Sequence, residues 1–416
     1  NAAGNATTTQ RTVVIGNDAA LGLAGGSNNE DGVYIGEQAG GTAVSGMRNT
    51  IIGKSAGGSA YAALSETVFI GNSAGAGASG TSNTFVGYSA GSATNTAAEC
   101  AGFGKNVMKS ITGSYNTAIG FGVMADGAGG GASNTGVGQR ALQGISTGGS
   151  NTSVGAGALQ TISTHSSNTA VGKSAGYKTT TSYNTFVGSH AAEKAAGGSG
   201  HNTIVGYAAG RGDNDDAAGF SGSHNTVMGS QALGDALLAS SNRNVILGYQ
   251  AAYEALTIDD NIIMGYQAGY SLTTADKNVI IGKDAAYSET TGHSNVVMGM
   301  DAATSQVGAT YNVVIGREAM FSSNGADSRN VVVGYSALHS DAGATIHSGN
   351  VVLGHTAAFS NLTAGYNVVI GEGAMYTAVG TDKSVVIGRQ AMNAGAASGD
   401  NNVVIGYQAN YENLSN

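Results

Sequence analysis

The densest group of ligand-type oxygens in this sequence is the stretch Arg211-Gly212-Asp213-Asn214-Asp215-Asp216. Carboxylates at Asp213, Asp215 and Asp216 could begin a calcium loop, since Ca²⁺ takes about 6–8 oxygen ligands from a flexible backbone. The first three of these residues also spell an integrin-type tripeptide. The simplest reading is an acidic, solvated insertion, and the expectation is no cofactor, with calcium at Asp213, Asp215 and Asp216 as the one candidate. The 8 His are scattered. His201 and His224 occupy equivalent places in neighbouring repeats, as His293 does at one remove, and read as polar corner residues, with metal binding or pH sensing as the functional alternative. There is no phosphate loop, no nucleophile elbow and no zinc-type His and Cys spacing. Polysaccharide-cleaving solenoids cluster their carboxylates, whereas the 26 acidic residues here are dispersed. The chain is therefore expected not to be an enzyme.

These residues hang on a repeat. An Asn, three β-prone residues, a Gly and then an Ala recur along the whole chain, as in Asn244-Val245-Ile246-Leu247-Gly248 with Ala251. The phrase occurs 23 times with gaps of 16 to 23 residues between successive Gly, most often 17. Self-similarity at this period marks a solenoid, whose single units cannot bury an apolar face and must stack. The expected fold is all-β, a parallel β-solenoid or β-roll of about 23 coils, with Asn1–Gln10 as a linker, residues 11–410 as the repeat domain and 411–416 as a tail.

Each slot of the repeat has a physical reading. The Asn, kept in 18 of 23 copies and exemplified by Asn168, Asn244 and Asn312, tolerates the left-handed backbone region, and its amide can bond the amide one coil on, forming a ladder at the strand's entry corner. The Gly, as in Gly172, Gly248 and Gly316, supplies a positive φ or lets coils approach closely. The Ala, as in Ala175, Ala251 and Ala319, fills a slot with room for a methyl, and a short second strand is expected to begin there.

Side chains alternate along a strand. The residue before the Gly is large and apolar in all copies, for example Ile15, Ile52 and Ile315, and is expected in the core. Two residues earlier the pattern changes along the chain: Thr dominates up to Thr226, and Val or Ile fills every copy from Val245 on, so the C-terminal half should have the more apolar core. The middle residue is then expected to face outward. It is apolar too, as in Phe85, Ile246, Ile263, Val314 and Val369, so a strand buried on both faces follows. These five are candidates for an interface in a homotrimer, because an unbroken outward apolar stripe exceeds what a soluble monomer exposes.

Composition limits the partners. A net charge of −9 with 17 scattered Lys and Arg argues against nucleic acid, which needs clustered cations. No apolar run is long enough to span a bilayer and no basic amphipathic stretch suggests membrane contact. Cys100, the only Cys, occupies an Asn slot and reads as a small hydrophobe in an irregular coil, with a bond to another chain as the alternative. Asn5, Asn151, Asn361 and Asn413 stand in glycosylation triplets, which arise easily in a chain rich in Asn, Ser and Thr. The first residue is Asn and the repeats run almost to the last, so the chain is expected to be a segment, or a subunit continued end to end.

The phrases Asn168-Thr169-Ala170-Val171-Gly172-Lys173-Ser174-Ala175 and Asn402-Val403-Val404-Ile405-Gly406-Tyr407-Gln408-Ala409 resemble the head repeats of trimeric autotransporter adhesins, and closer still the Asn-Thr-Ala-x-Gly-x-x-Ala repeats of phage and bacterial tail-fibre-like proteins. The resemblance implies three chains around one axis at the surface of a cell or virion, hence extracellular, with a surface glycan or host receptor as partner. The expected role is a non-enzymatic structural or adhesive fibre shaft. The alternative is a ligand-binding solenoid that presents flat Thr and Val ladders to ice or glycans.

Overall fold

The computed structural model describes residues 9–21, 29–41, 46–58, 64–93, 96–127, 129–195, 200–212, 220–234, 241–321, 327–339, 348–360, 365–377, 381–393 and 399–410. It is an all-β parallel solenoid, and no helix occurs among the described residues. The chain divides into two compact units, Asn1–Gly200 and His201–Asn416. In the first, eleven three-residue strands from Val13–Ile15 to Thr185–Val187 pair in parallel with their neighbours in sequence. In the second, twelve strands from Thr203–Val205 to Val403–Ile405 do the same. Register follows the repeat: Val245 stands beside Ile262, Ile246 beside Ile263 and Leu247 beside Met264. Most of the expected linker lies outside the described residues; its last two, Thr9–Gln10, pair with Asn29–Glu30 and so join the repeat.

The faces of the strand are the reverse of the sequence expectation. In every three-residue strand except Val13–Ile15 and Val403–Ile405 the middle residue is buried and its two neighbours are half-buried or exposed. Phe85, Ile246, Ile263, Val314 and Val369 are fully buried inside their own chain, so they cannot be the surface that a second copy meets. The residue expected in the core faces out instead: Ile315 is 37% exposed, Ile15 57%.

The cause is the Asn ladder. Asn168, Asn244 and Asn312 are all buried. The Asn244 amide nitrogen donates to Asn225 Oδ1 (3.0 Å) and across to the Ile258 carbonyl (2.7 Å), while its own Oδ1 accepts from the backbone N–H of Asn261 (2.9 Å) and from the Asn261 amide (3.1 Å). Asn168 and Asn312 are bonded in the same way to Asn151 and Asn295. An amide so fully used must point inward, and with a period of two the middle strand residue, two places on, points inward with it. The left-handed corner lies one residue earlier than expected, at Arg243 (φ 57°) before Asn244 and at Ser167 (φ 60°) before Asn168.

The motif Gly does both things anticipated of it. Gly248 has φ 141°, and a Cβ there would stand 2.1 Å from the Gly265 carbonyl oxygen; Gly172 and Gly316 have equivalent contacts at 2.4 and 2.3 Å. No side chain fits, which keeps the column purely Gly. The expected second strand is a turn instead. After Gly248 the backbone reaches positive φ at Gln250 (51°) and again at Ala252 (50°), and N–H groups leave in both directions along the stack, Gln250 to the Ser230 carbonyl (3.1 Å) and Ala252 to the Ala268 carbonyl (3.0 Å). Backbone polar groups are thus satisfied without an extended strand.

The core is one side chain thick. The middle strand residues share it with the motif Ala, fully buried at Ala175, Ala251 and Ala319, and in several coils meet the residue after that Ala, as Phe69 meets Gly75 and Phe85 meets Gly91. Size is conserved across that contact. Phe69 and Phe85, stacked at 5.5 Å, face Gly75 and Gly91, whereas Gly136 and Ser153 share their coils with the buried Leu142 and Leu159. Volume lost on one wall returns on the other, as close packing requires.

Candidate functional site

With the middle residues buried, the two outer residues of every strand form the free face of the sheet. The first of the two brings a β-branched residue in every copy but Ala101, and the second brings Ile, Val, Leu, Met or Phe. Neither column holds a charge in any copy. In the unit His201–Asn416 the face becomes wholly apolar from Val245 on, with Ile262 and Val331 in the first column and Met298 and Ile315 in the second each 37–41% exposed. The switch from Thr to Val thus makes the surface of this unit, not its core, the more apolar. At about 4.8 Å per strand and about 10 Å of width, the ten strands from Val245 on present a strip on the order of 480 Å². That is as large as the largest apolar patch of an ordinary monomer.

The strip has a charged margin. On the entry side Arg243 makes a two-pronged contact with Asp260, Nε to Oδ1 at 2.6 Å and a terminal nitrogen to Oδ2 at 3.0 Å. The guanidinium hydrogen bond holds the Asp260 carboxyl below its usual range and raises Arg243. Arg48 does the same for Glu66 in the first unit. On the exit side Lys283 lies over Tyr266 (5.9 Å) and Arg317 over Tyr335 (5.8 Å). An apolar centre with a charged, aromatic margin is the anatomy of a protein interface.

In the unit Asn1–Gly200 the same face differs. Thr117, Thr135, Thr152, Thr169 and Thr185 stand side by side in consecutive register, next to Ile119, Val137, Val154, Val171 and Val187. Hydroxyl-bearing and apolar columns therefore run parallel on one face of the sheet.

Other expected sites fare unevenly. Asp213, Asp215 and Asp216 lie outside the described residues. Among the described residues no three His, Cys, Asp or Glu are gathered as metal ligands, and no helix is long and apolar enough to cross a membrane. His201 and His224 stack face to face at 5.0 Å. Cys100 is 2% exposed, its Sγ directed at the carbonyls of Ala98 and Gly113, and burial pushes the thiol's pKa up. Asn151 is fully buried in the ladder, where no glycan could be attached; Asn5, Asn361 and Asn413 lie outside the described residues.

Two features were not anticipated. Glu289 is a buried carboxylate in a core slot, its Oε1 accepting from the N–H groups of Thr290, Thr291, Gly292 and Gly308 and its Oε2 from Ala309. Its equivalent one coil earlier is the buried Leu272, so the exchange of Leu for Glu at a core position was the available signal. The second is a column of stacked aromatic rings two residues beyond the motif Ala: Tyr253, Tyr270 and Tyr287 at 5.0–5.2 Å, then Phe321, His339, Phe359 and Tyr376 at 4.8–5.1 Å. Aligning the copies on the Gly displays this column directly.

The fold defines a β-solenoid repeat protein with a one-residue-thick core and one uncharged face. No protein-family model matches the chain, and no curated protein is significantly similar to it in sequence.

Proposed function

We propose that this chain is a non-enzymatic structural element, the shaft of a fibre or adhesin in a surface-exposed assembly, and that it works as a homotrimer. On this reading the 23 copies are 23 coils, and the outward columns, not the middle residues, face the other two chains. The observation that carries it is the uncharged, in-register face of the strands with its charged margin, best developed from Val245 onward. Water would wet this strip at a cost, and covering it with the same strip of another copy removes the cost without any new side chain. The number three and the location outside the cell rest on the resemblance to adhesin heads and tail-fibre-like repeats. Light scattering at micromolar concentration tests it: a mass three times 40.9 kDa is expected, and a mass of one chain rejects it.

The Thr columns favour a second reading for the unit Asn1–Gly200. A regular grid of Thr hydroxyls and methyls beside Val and Ile methyls, repeated at about 4.8 Å along the stack, offers water an ordered template. Thermal hysteresis of a freezing solution, lost on Thr152→Lys, is its expected signature. A monomeric mass together with such hysteresis would replace the first reading by this one.

A further inference from the structure

The aromatic column of the unit His201–Asn416 is interrupted after Tyr376, because the next rung is Asn393. Beside that break the turn column also loses a side chain. Gly373 stands between Thr356 and Gln390, and a Cβ on it would meet only the Gln390 Cγ, at 3.6 Å. The two gaps coincide and leave a surface notch of about 250 Å³ lined by His355, Glu372, Tyr376, Gln390 and Asn393 around Gly373.

We infer that this notch binds one neutral sugar residue of a glycan. Tyr376 is stacked on Phe359 at 5.0 Å on one side, and on the other the adjacent rung is Asn393, which brings an amide and not a ring. A ring face carries negative quadrupole charge and attracts the slightly positive C–H face of a pyranose. Around it stand planar side chains of both hydrogen-bonding polarities, the amides of Gln390 and Asn393 and the carboxylate of Glu372, which suit the paired donors and acceptors of vicinal hydroxyls. Glu372 is already neutralised by Arg389, 3.3 Å away. The guanidinium at the rim is thus already engaged by a carboxylate and not held free for a sialic acid or sulfate, which favours a neutral sugar. A concave site with a few convergent polar groups is the ordinary form of a small-ligand site.

The inference does not depend on three-fold assembly, and its test leaves that untouched. Gly373→Gln fills the notch with the residue that the same slot already holds at Gln390, at a φ of 55° against 61° for Gly373, so the fold tolerates it. Tyr376→Thr copies the equivalent Thr304 and removes the platform. The probes are a printed panel of neutral and sialylated oligosaccharides, followed by saturation-transfer NMR with methyl glycosides of galactose, glucose and N-acetylglucosamine at millimolar concentration. The expected result is transfer from at least one neutral glycoside, weakened about tenfold or more by each variant with mass and melting temperature unchanged. Absence of transfer from every neutral probe, binding of sialylated glycans alone, or binding that survives both substitutions would overturn it.

Discussion

A Cβ on Gly75 would stand 2.4 Å from the Cδ2 and Cε2 atoms of Phe69. The smallest residue on one wall of the core is therefore dictated by one of the largest on the other. The converse holds at Gly136, where a Cβ would stand 2.6 Å from Val123 and 3.3 Å from Met124.

This pairing predicts strong coupling. Phe69→Ala should cost about 3–5 kcal/mol through the cavity it leaves, and Gly75→Leu alone should be destabilising through overpacking. Leu142 and Leu159 adopt positive φ in the same slot (52° and 46°), so the backbone accepts Leu there. The double variant should be more stable than the sum of the singles by at least about 1 kcal/mol. Chemical denaturation of all three checks this, and simple additivity would show that the two walls do not share one space.

The exchange of faces predicts opposite outcomes at adjacent residues. Val314 is fully buried and Ile315 is 37% exposed. Val314→Asp should abolish cooperative folding or lower the melting temperature severely, because a buried unpaired carboxylate has no compensation. Ile315→Asp should leave the chain folded by circular dichroism, and where copies pack on this face it should reduce the mass in solution. Equal damage from both would mean that the strand is buried on its two sides within one chain.

Period, strand position, the parallel stack and the role of the Gly column follow from 23 aligned phrases, because a column with room only for hydrogen can hold only Gly. The inward direction was missed because three apolar residues in a row carry no parity signal of their own. Parity resides in Asn244: a ladder amide is buried, and counting two from it places Ile246 inside. As a corner residue alone the Asn carries no such parity; as a buried ladder amide it does. The turn after Gly248 was hidden for another reason, since Gln250 and Ala252 are not residue types that announce positive φ.

Glu289 provides a test of buried polar satisfaction. Its carboxylate accepts five backbone N–H groups. Glu289→Ala strands all five and should cost about 3 kcal/mol or more, although Ala255 shows that the slot accepts Ala where no such loop must be held. Glu289→Gln should fall between, because an amide nitrogen turned to Ala309 meets a donor with a donor. The order wild type, Gln, Ala in melting temperature is expected, and an Ala variant as stable as wild type would show that these N–H groups find water instead.

The charged margin gives the acid-side behaviour. The Arg243 guanidinium lowers the folded-state pKa of Asp260, so protonating this carboxylate opposes folding. The pair's contribution is fully present above the usual Asp value and is lost as pH falls through the lowered folded-state value. Both side chains are well exposed, at 58% and 38%, so solvent and salt screen the effect and it should be small. Asp260→Asn should therefore melt slightly below wild type at neutral pH and low salt, with the gap closing in strong acid and at high ionic strength. Melting curves of the two proteins across pH test this, and a gap that persisted unchanged into strong acid would assign the loss to side-chain packing instead of charge.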